Sequence, residues 1–119
     1  MSGGPMYRKG VRAEKKVAAL LRSEGYKIME SRGSHGPADL VAIKAGQILV
    51  IQVKAGTAQL RDEWWNPLYE HAEAAGALAI IAETPRGKVR MRRITGRHRF
   101  RSRLWPCEEF TTDEGAVAR

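Results

Sequence analysis

One stretch constrains the fold more than any other. Residues 47–54 read QILVIQVK, and a second strand-like run, residues 39–44, precedes them across an Ala45-Gly46 turn. Runs this rich in β-branched and apolar side chains form strands. A two-residue hairpin turn fixes their pairing. Lys44 then faces Gln47, Ile43 faces Ile48, Val41 faces Val50 and Asp39 faces Gln52. Directly opposed side chains share a face, with Cβ atoms about 4.5–5.5 Å apart. Strand alternation puts Lys54 on the face of Gln52. Asp39, Gln52 and Lys54 are therefore expected to converge, while Leu49, Ile51 and Val53 fill the opposite face.

The remaining elements are placed around this hairpin. A helix begins at Tyr7 or Gly10 and runs to Glu24, with Val11, Ala18 and Leu21 on one face and Gly25 as its stop. A strand at 27–31 and a Gly/Pro-rich loop at 32–37 follow. Asn66 is expected to cap a second helix, with Pro67 at its first position and Gly76 after its last. Strands are expected at 78–83 and 88–94, and nothing regular beyond Gly96. The order α-β-β-β-α-β-β predicts an α/β fold, a single domain with a central mixed β-sheet flanked by helices. With 119 residues there is room for one domain. It is expected over 7–106, between a flexible leader at 1–6 and a flexible C-terminal tail at 107–119.

Charge narrows the partner. The formal net charge is +8, and from 86 to 103 nine residues are Lys or Arg and none is acidic. That concentration favours a polyanion, with Arg90, Arg92, Arg93 and Arg97 expected on phosphates. The last residues reverse sign, with Glu108, Glu109, Asp113 and Glu114. A single cysteine, Cys107, excludes an intramolecular disulfide. No apolar run approaches a membrane span or a signal peptide, so a cytoplasmic location and no membrane partner are expected. Trp64, Trp65, Leu68 and Tyr69 offer more aromatic area than a short helix easily buries. They are expected at a dimer interface, with core packing as the alternative. Phe100 and Trp105 are expected either to anchor the basic tail or to stack on bases.

Glu14 lies three residues after Val11 and four before Ala18. It therefore points from the apolar stripe, where a carboxylate needs a pair, a metal or a water-filled cleft. A carboxylate pair, an amide and a lysine in one cluster suit phosphodiester hydrolysis. Mg²⁺ takes oxygen ligands, and a nearby lysine can position the attacking water.

Gly36-Pro37-Ala38-Asp39 followed by Ile51-Gln52-Val53-Lys54 resembles the PD-(D/E)xK nuclease motif. With Arg8-Lys9-Gly10, Glu14 and Arg32-Gly33-Ser34 it resembles the archaeal-type Holliday junction resolvases, a group that also occurs in viruses. The resemblance spans residues 7–85 and implies a restriction-endonuclease-like fold. It implies a homodimer that cuts branched DNA, the four-way junction, with Mg²⁺ (or Mn²⁺) and no small-molecule cofactor. Asp39 would be the principal metal ligand, Gln52 the second, Glu14 the third, and Lys54 the lysine beside the attacking water. Ser34 would approach the scissile backbone, and Arg8, Lys9 and Arg32 would hold phosphates. Gln52 departs from the usual Glu and brings no charge, which predicts weaker Mg²⁺ binding and a weakened or inactive enzyme. The alternatives are a related nuclease acting on duplex DNA and a non-catalytic branched-DNA-binding module.

Overall fold

The computed structural model describes residues 5–30, 37–55 and 62–112 (of residues 5–9 and 62, the backbone only). Helix α1 spans Pro5–Ser23. It starts before the expected Tyr7 or Gly10, and a proline in the first turn sacrifices only an N–H that the helix leaves unpaired anyway. Helix α2 spans Asp62–Ala75. Both end as their glycines predict: Gly25 (φ 97°) and Gly76 (φ 67°) are left-handed. The following N–H groups reach back, Tyr26 to the Leu21 carbonyl at 3.0 Å and Ala77 to that of Ala72 at 2.8 Å.

The start of α2 corrects the expectation. Asn66 is not its cap, and Pro67 lies inside the helix. The Asn66 amide is used elsewhere: it donates to the His98 carbonyl at 3.1 Å and accepts from the His98 N–H at 2.7 Å. Tertiary pairing has taken the side chain that local propensity assigned to capping.

Among the described residues six strands form one sheet in chain order, β1 (Lys27–Glu30), β2 (Leu40–Lys44), β3 (Gln47–Lys54), β4 (Leu78–Glu83), β5 (Arg90–Ile94) and β6 (Cys107–Phe110). Only β3 and β4 run parallel, with α2 as their crossover. Strand β5 begins at Arg90, because a 3-10 turn at Pro85–Gly87 with Arg86 at φ 52° precedes it. The β2–β3 register is the one the turn dictates: Lys44 opposes Gln47, Ile43 opposes Ile48 and Val41 opposes Val50.

Strand β6 corrects the expectation of irregular chain beyond Gly96 and of a tail from 107. Its sequence, CEEF, has little β propensity. It pairs antiparallel with the basic strand, Glu109 opposite Arg92 and Glu108 opposite Arg93.

Alternation along β3 divides the core in two. Leu49, Ile51 and Val53 pack with Ala13, Val17 and Leu21 of α1. Val50, with Ala79 and Ile81, packs under Trp65, Leu68 and Ala72 of α2. Among the described residues no helix is long and apolar enough to cross a membrane.

For Trp65 and Leu68, two of the four residues expected at a dimer interface, core packing, the alternative, is what the structure shows. Trp65 and Leu68 are each 1% exposed, and Tyr69 packs at the edge of the same cluster. Trp65 also donates its indole N–H to the Gly96 carbonyl at 2.9 Å. Successive helical residues point about 100° apart, so Trp65 turns inward while Trp64 faces β3. Trp65→Ala is expected to cost about 3–5 kcal/mol in urea unfolding through the lost packing. An interface residue would instead change the sedimentation behaviour with little loss of monomer stability.

Candidate active site

The site lies where β3 stops being apolar. On the α2-facing side Val50 is core, whereas Gln52 and Lys54 are half-buried polar residues toward the strand's C-terminal end. Asp39 precedes β2 and continues its pairing, its N–H donating to the Ile51 carbonyl at 2.7 Å. Its Oδ2 accepts two bonds, from the Gln52 side-chain amide at 3.0 Å and from the Val53 N–H at 2.8 Å. The register read from the turn thus delivers the Asp39–Gln52 pair as expected.

Burial pushes the Asp39 carboxyl above its ordinary value, against the opposing pull of the Val53 N–H and the Lys54 charge. The Lys54 ammonium sits over the Trp64 ring, 3.2 Å from its centroid. A desolvated ammonium on an indole face gains from the ring quadrupole and loses side-chain freedom. The Trp64 ring is thus a platform for the lysine.

Glu83 belongs to this end of the sheet and was not singled out from the sequence. It lies in register beside Lys54 on β4, is buried, and pairs with Arg92 at 2.9 Å. The turn gave the hairpin register, but a parallel pair joined through a helix has no such local signal. Glu14 is half-buried on α1, next to Ala13 of the α1-side core. Ser34, Arg32 and His35 lie outside the described residues, as do the side chains of Arg8 and Lys9.

The arginines expected on phosphates, Arg90, Arg92, Arg93 and Arg97, each have an acidic neighbour. Arg90 pairs with Glu109 at 2.6 Å, Arg92 with Glu83 at 2.9 Å and Arg93 with Glu108 at 3.8 Å, and Arg97 pairs with Glu70. Glu108 and Glu109 were read as a separate acidic tail, and β6 brings them onto the basic strand.

Comparison with known proteins agrees with this layout. The family model for the archaeal Holliday junction resolvase (Hjc) matches residues 5–103. A crossover junction endodeoxyribonuclease Hjc of Methanocaldococcus jannaschii is 37% identical over 51 residues, 43% of this chain and 38% of that protein. A UPF0102 protein of Bradyrhizobium sp. is 43% identical over 51 residues, 41% of this chain and 36% of that protein. The matched stretch therefore spans little more than a third of either relative. The solved structure of Archaeoglobus fulgidus Hjc, described as a Holliday junction resolvase from an archaeal hyperthermophile, superposes with a TM-score of 0.62 at 28% identity, covering 70% of each chain. The sheet and its flanking helices are thus the restriction-endonuclease-like fold of that structure.

The raised Asp39 carboxyl has a definite sign in stability. A group that holds its proton more tightly when folded costs stability above its folded value, and the cost fades as pH falls toward the unfolded value. In EDTA, Asp39→Asn is expected to melt higher than the parent at pH 7, with the gap closing on acidification. A variant that melts lower at pH 7 would show that the charge is compensated.

Proposed function

The chain belongs to the archaeal Holliday junction resolvase family, and from that membership we propose that it is a cytoplasmic, structure-selective endonuclease that hydrolyses phosphodiesters in four-way DNA junctions. The observation that carries the reading is the Asp39–Gln52–Lys54 cluster. A strand with four buried apolar residues turns polar on one face, beside a burial-perturbed carboxylate.

The donor set suits a hard, sparsely liganded divalent cation. Asp39 is a half-buried carboxylate whose anionic form burial disfavours, so a bound cation would offset that cost. Gln52 adds a neutral amide oxygen. Among the described residues no three acidic, His or Cys side chains cluster as a closed metal cage. Mg²⁺, which keeps several waters and accepts one or two protein carboxylates, matches this better than a metal needing a full protein shell. Asp39 and Gln52 would hold it, with Glu14 as the further ligand the family pattern implies, and Mn²⁺ is the alternative ion. The ion would supply Lewis acidity at the phosphate and a more acidic water.

The chain's own residues do the rest. The Gln52 amide and the Val53 N–H fix the Asp39 carboxylate on one oxygen. Lys54, steadied by Trp64, is the donor that orients the attacking water and meets the charge developing on phosphate. The neutral Gln52 favours a second reading, a module that binds branched DNA without cutting it.

A twofold partner would bring two such sites to opposing strands. With Trp65 and Leu68 buried in the core, the surface that suits a second copy is the α2-facing side of β1 and β2. There Met29 is 55% and Ile43 37% exposed, on a strip shared with Val41 and Ile48. Cytoplasmic association would remove this strip from water.

The test is cleavage of a labelled four-way junction beside linear duplex of the same sequence. Paired symmetric nicks are expected only in the junction. Asp39→Ala and Lys54→Ala should each lose at least ~10²-fold in rate with binding retained, and Gln52→Glu should lower the Mg²⁺ needed. Equal cutting of the duplex would favour the related nuclease. Binding without cutting by both the parent and Gln52→Glu would establish the non-catalytic module. Separately, Ile43→Asp is expected to convert the dimer to a monomer in sedimentation, and an unchanged mass would remove β1 and β2 from the interface.

A further inference from the structure

The connection between β5 and β6 carries features that neither the core nor the hydrolytic cluster uses. The family match ends inside it, at residue 103. It leaves β5 at the end of the sheet opposite the polar cluster, folds back over α2, and is pinned on the first turns of that helix. The Trp65 indole donates to the Gly96 carbonyl at 2.9 Å, and Asn66 holds both backbone groups of His98. The His98 ring is buried, stacks on Trp105 at 3.5 Å and 7°, and reaches the Ser102 carbonyl at 2.8 Å. Trp105 in turn meets Trp65 edge-on at 5.0 Å. Of the two aromatics read from the sequence, Trp105 is the anchor.

The tip does the opposite. Ser102 N–H closes a turn on the Arg99 carbonyl at 2.9 Å, with Phe100 and Arg101 at its corners. Arg101 is left-handed at φ 64°, a conformation that a type II turn usually gives to Gly or Asn. Phe100 is 81% exposed and Leu104 79% exposed, and neither belongs to a core cluster. The Arg101 guanidinium lies over the Phe100 ring, 5.1 Å from its centroid. No acidic residue occurs from 95 to 107. Arg97 is taken by Glu70, but no acidic side chain pairs with Arg99, Arg101 or Arg103 among the described residues.

A pinned floor, an outward aromatic with the Arg101 guanidinium on its ring, and Arg99 and Arg103 in the same short segment match an unstacked base flanked by phosphates. We propose that the tip at 99–104 is a base-stacking wedge for the branch point of DNA, with Phe100 on an exposed base and Arg99, Arg101 and Arg103 on the adjoining phosphates. An aromatic ring offers any base a π-face without reading sequence, and the arginine fork suits phosphate oxygens. Consecutive residues of α2 tie the wedge to the cleavage cluster: Trp64 holds Lys54, while Trp65 and Asn66 hold the loop. A base on Phe100 would thus stand at a fixed offset from the scissile phosphate.

The choice of a branch point rests on the endonuclease reading above, so the test separates the two. Binding is measured in the uncut Asp39→Asn background to a four-way junction, a linear duplex and a single-stranded oligonucleotide, over a range of salt. Adding Phe100→Ala should weaken junction and single-strand binding about tenfold while leaving the melting temperature, duplex binding and salt slope unchanged. Phe100→Trp should restore it. Replacing Arg99, Arg101 and Arg103 together by Gln should flatten the logarithmic salt slope by roughly 2–3 units. A Phe100→Ala protein that binds junction and single strand like its parent overturns the wedge. If the parent shows no junction preference but Phe100→Ala still loses single-strand binding, the stacking site stands and the junction reading falls. If Phe100→Ala instead changes only the sedimentation mass, or only adsorption to phosphatidylglycerol vesicles, the tip faces a second copy or a lipid surface and the proposal is wrong.

Discussion

The Ala45-Gly46 turn pairs Lys44 with Gln47 and so decides which side chains of β2 and β3 share a face. Because strand side chains alternate, a slip of β3 by one residue against β2 would send Gln52 and Lys54 into the α1-side core, away from Asp39, and turn Leu49, Ile51 and Val53 to the α2 side. The apolar half of β3 enforces the register thermodynamically, since each fully buried aliphatic side chain contributes roughly 1.5–3 kcal/mol. The polar half then exists because the strand outruns its cover: Val50 lies under α2, while Gln52 and Lys54 lie toward the strand end. Asp39 is held there by a backbone N–H and a neutral amide, an arrangement that leaves its burial only partly compensated.

The first turns of α2 link this cluster to the rest of the molecule. Trp64, Trp65 and Asn66 point in three directions at helical spacing and serve three purposes: a platform for Lys54, a buried core ring, and a clamp on the β5–β6 connection. Starting the helix at Asp62 makes this possible, because all three residues then lie within one continuous turn.

Electrostatics is organised by β6 more than by net charge. Its two glutamates meet arginines of β5, and Glu83 meets Arg92 between the sheet's buried face and the polar cluster. The exposed β5–β6 pairs contribute little to stability and are screened by salt, so they shape the local field more than they hold the strand, whereas the Glu83–Arg92 pair is shielded from solvent. The β5 arginines and Arg97 are paired with glutamates, whereas Arg99, Arg101 and Arg103 at the loop tip have no acidic partner among the described residues.

The sequence by itself determined the features that short-range physics controls. The hairpin register followed from a two-residue turn, the helix ends from Gly25 and Gly76, and the meeting of Asp39 with Gln52 from alternation with period two. Asp39 and Gln52 also carried the family resemblance, with Lys54, Glu14 and the flanking basic and glycine-rich segments. Tertiary structure decided whatever depended on which distant segment supplied a partner. Asn66 clamps His98 instead of capping a helix, because a backbone 32 residues away is within reach of its side chain. Trp65 is core and Trp64 a lysine platform, because the helix phase against the sheet, not the pair of tryptophans, sets their directions. Glu83 stands beside Lys54 through a parallel register that no turn specifies, and β6 forms on the free edge that β5 offers it, a partner that the propensity of CEEF alone does not reveal.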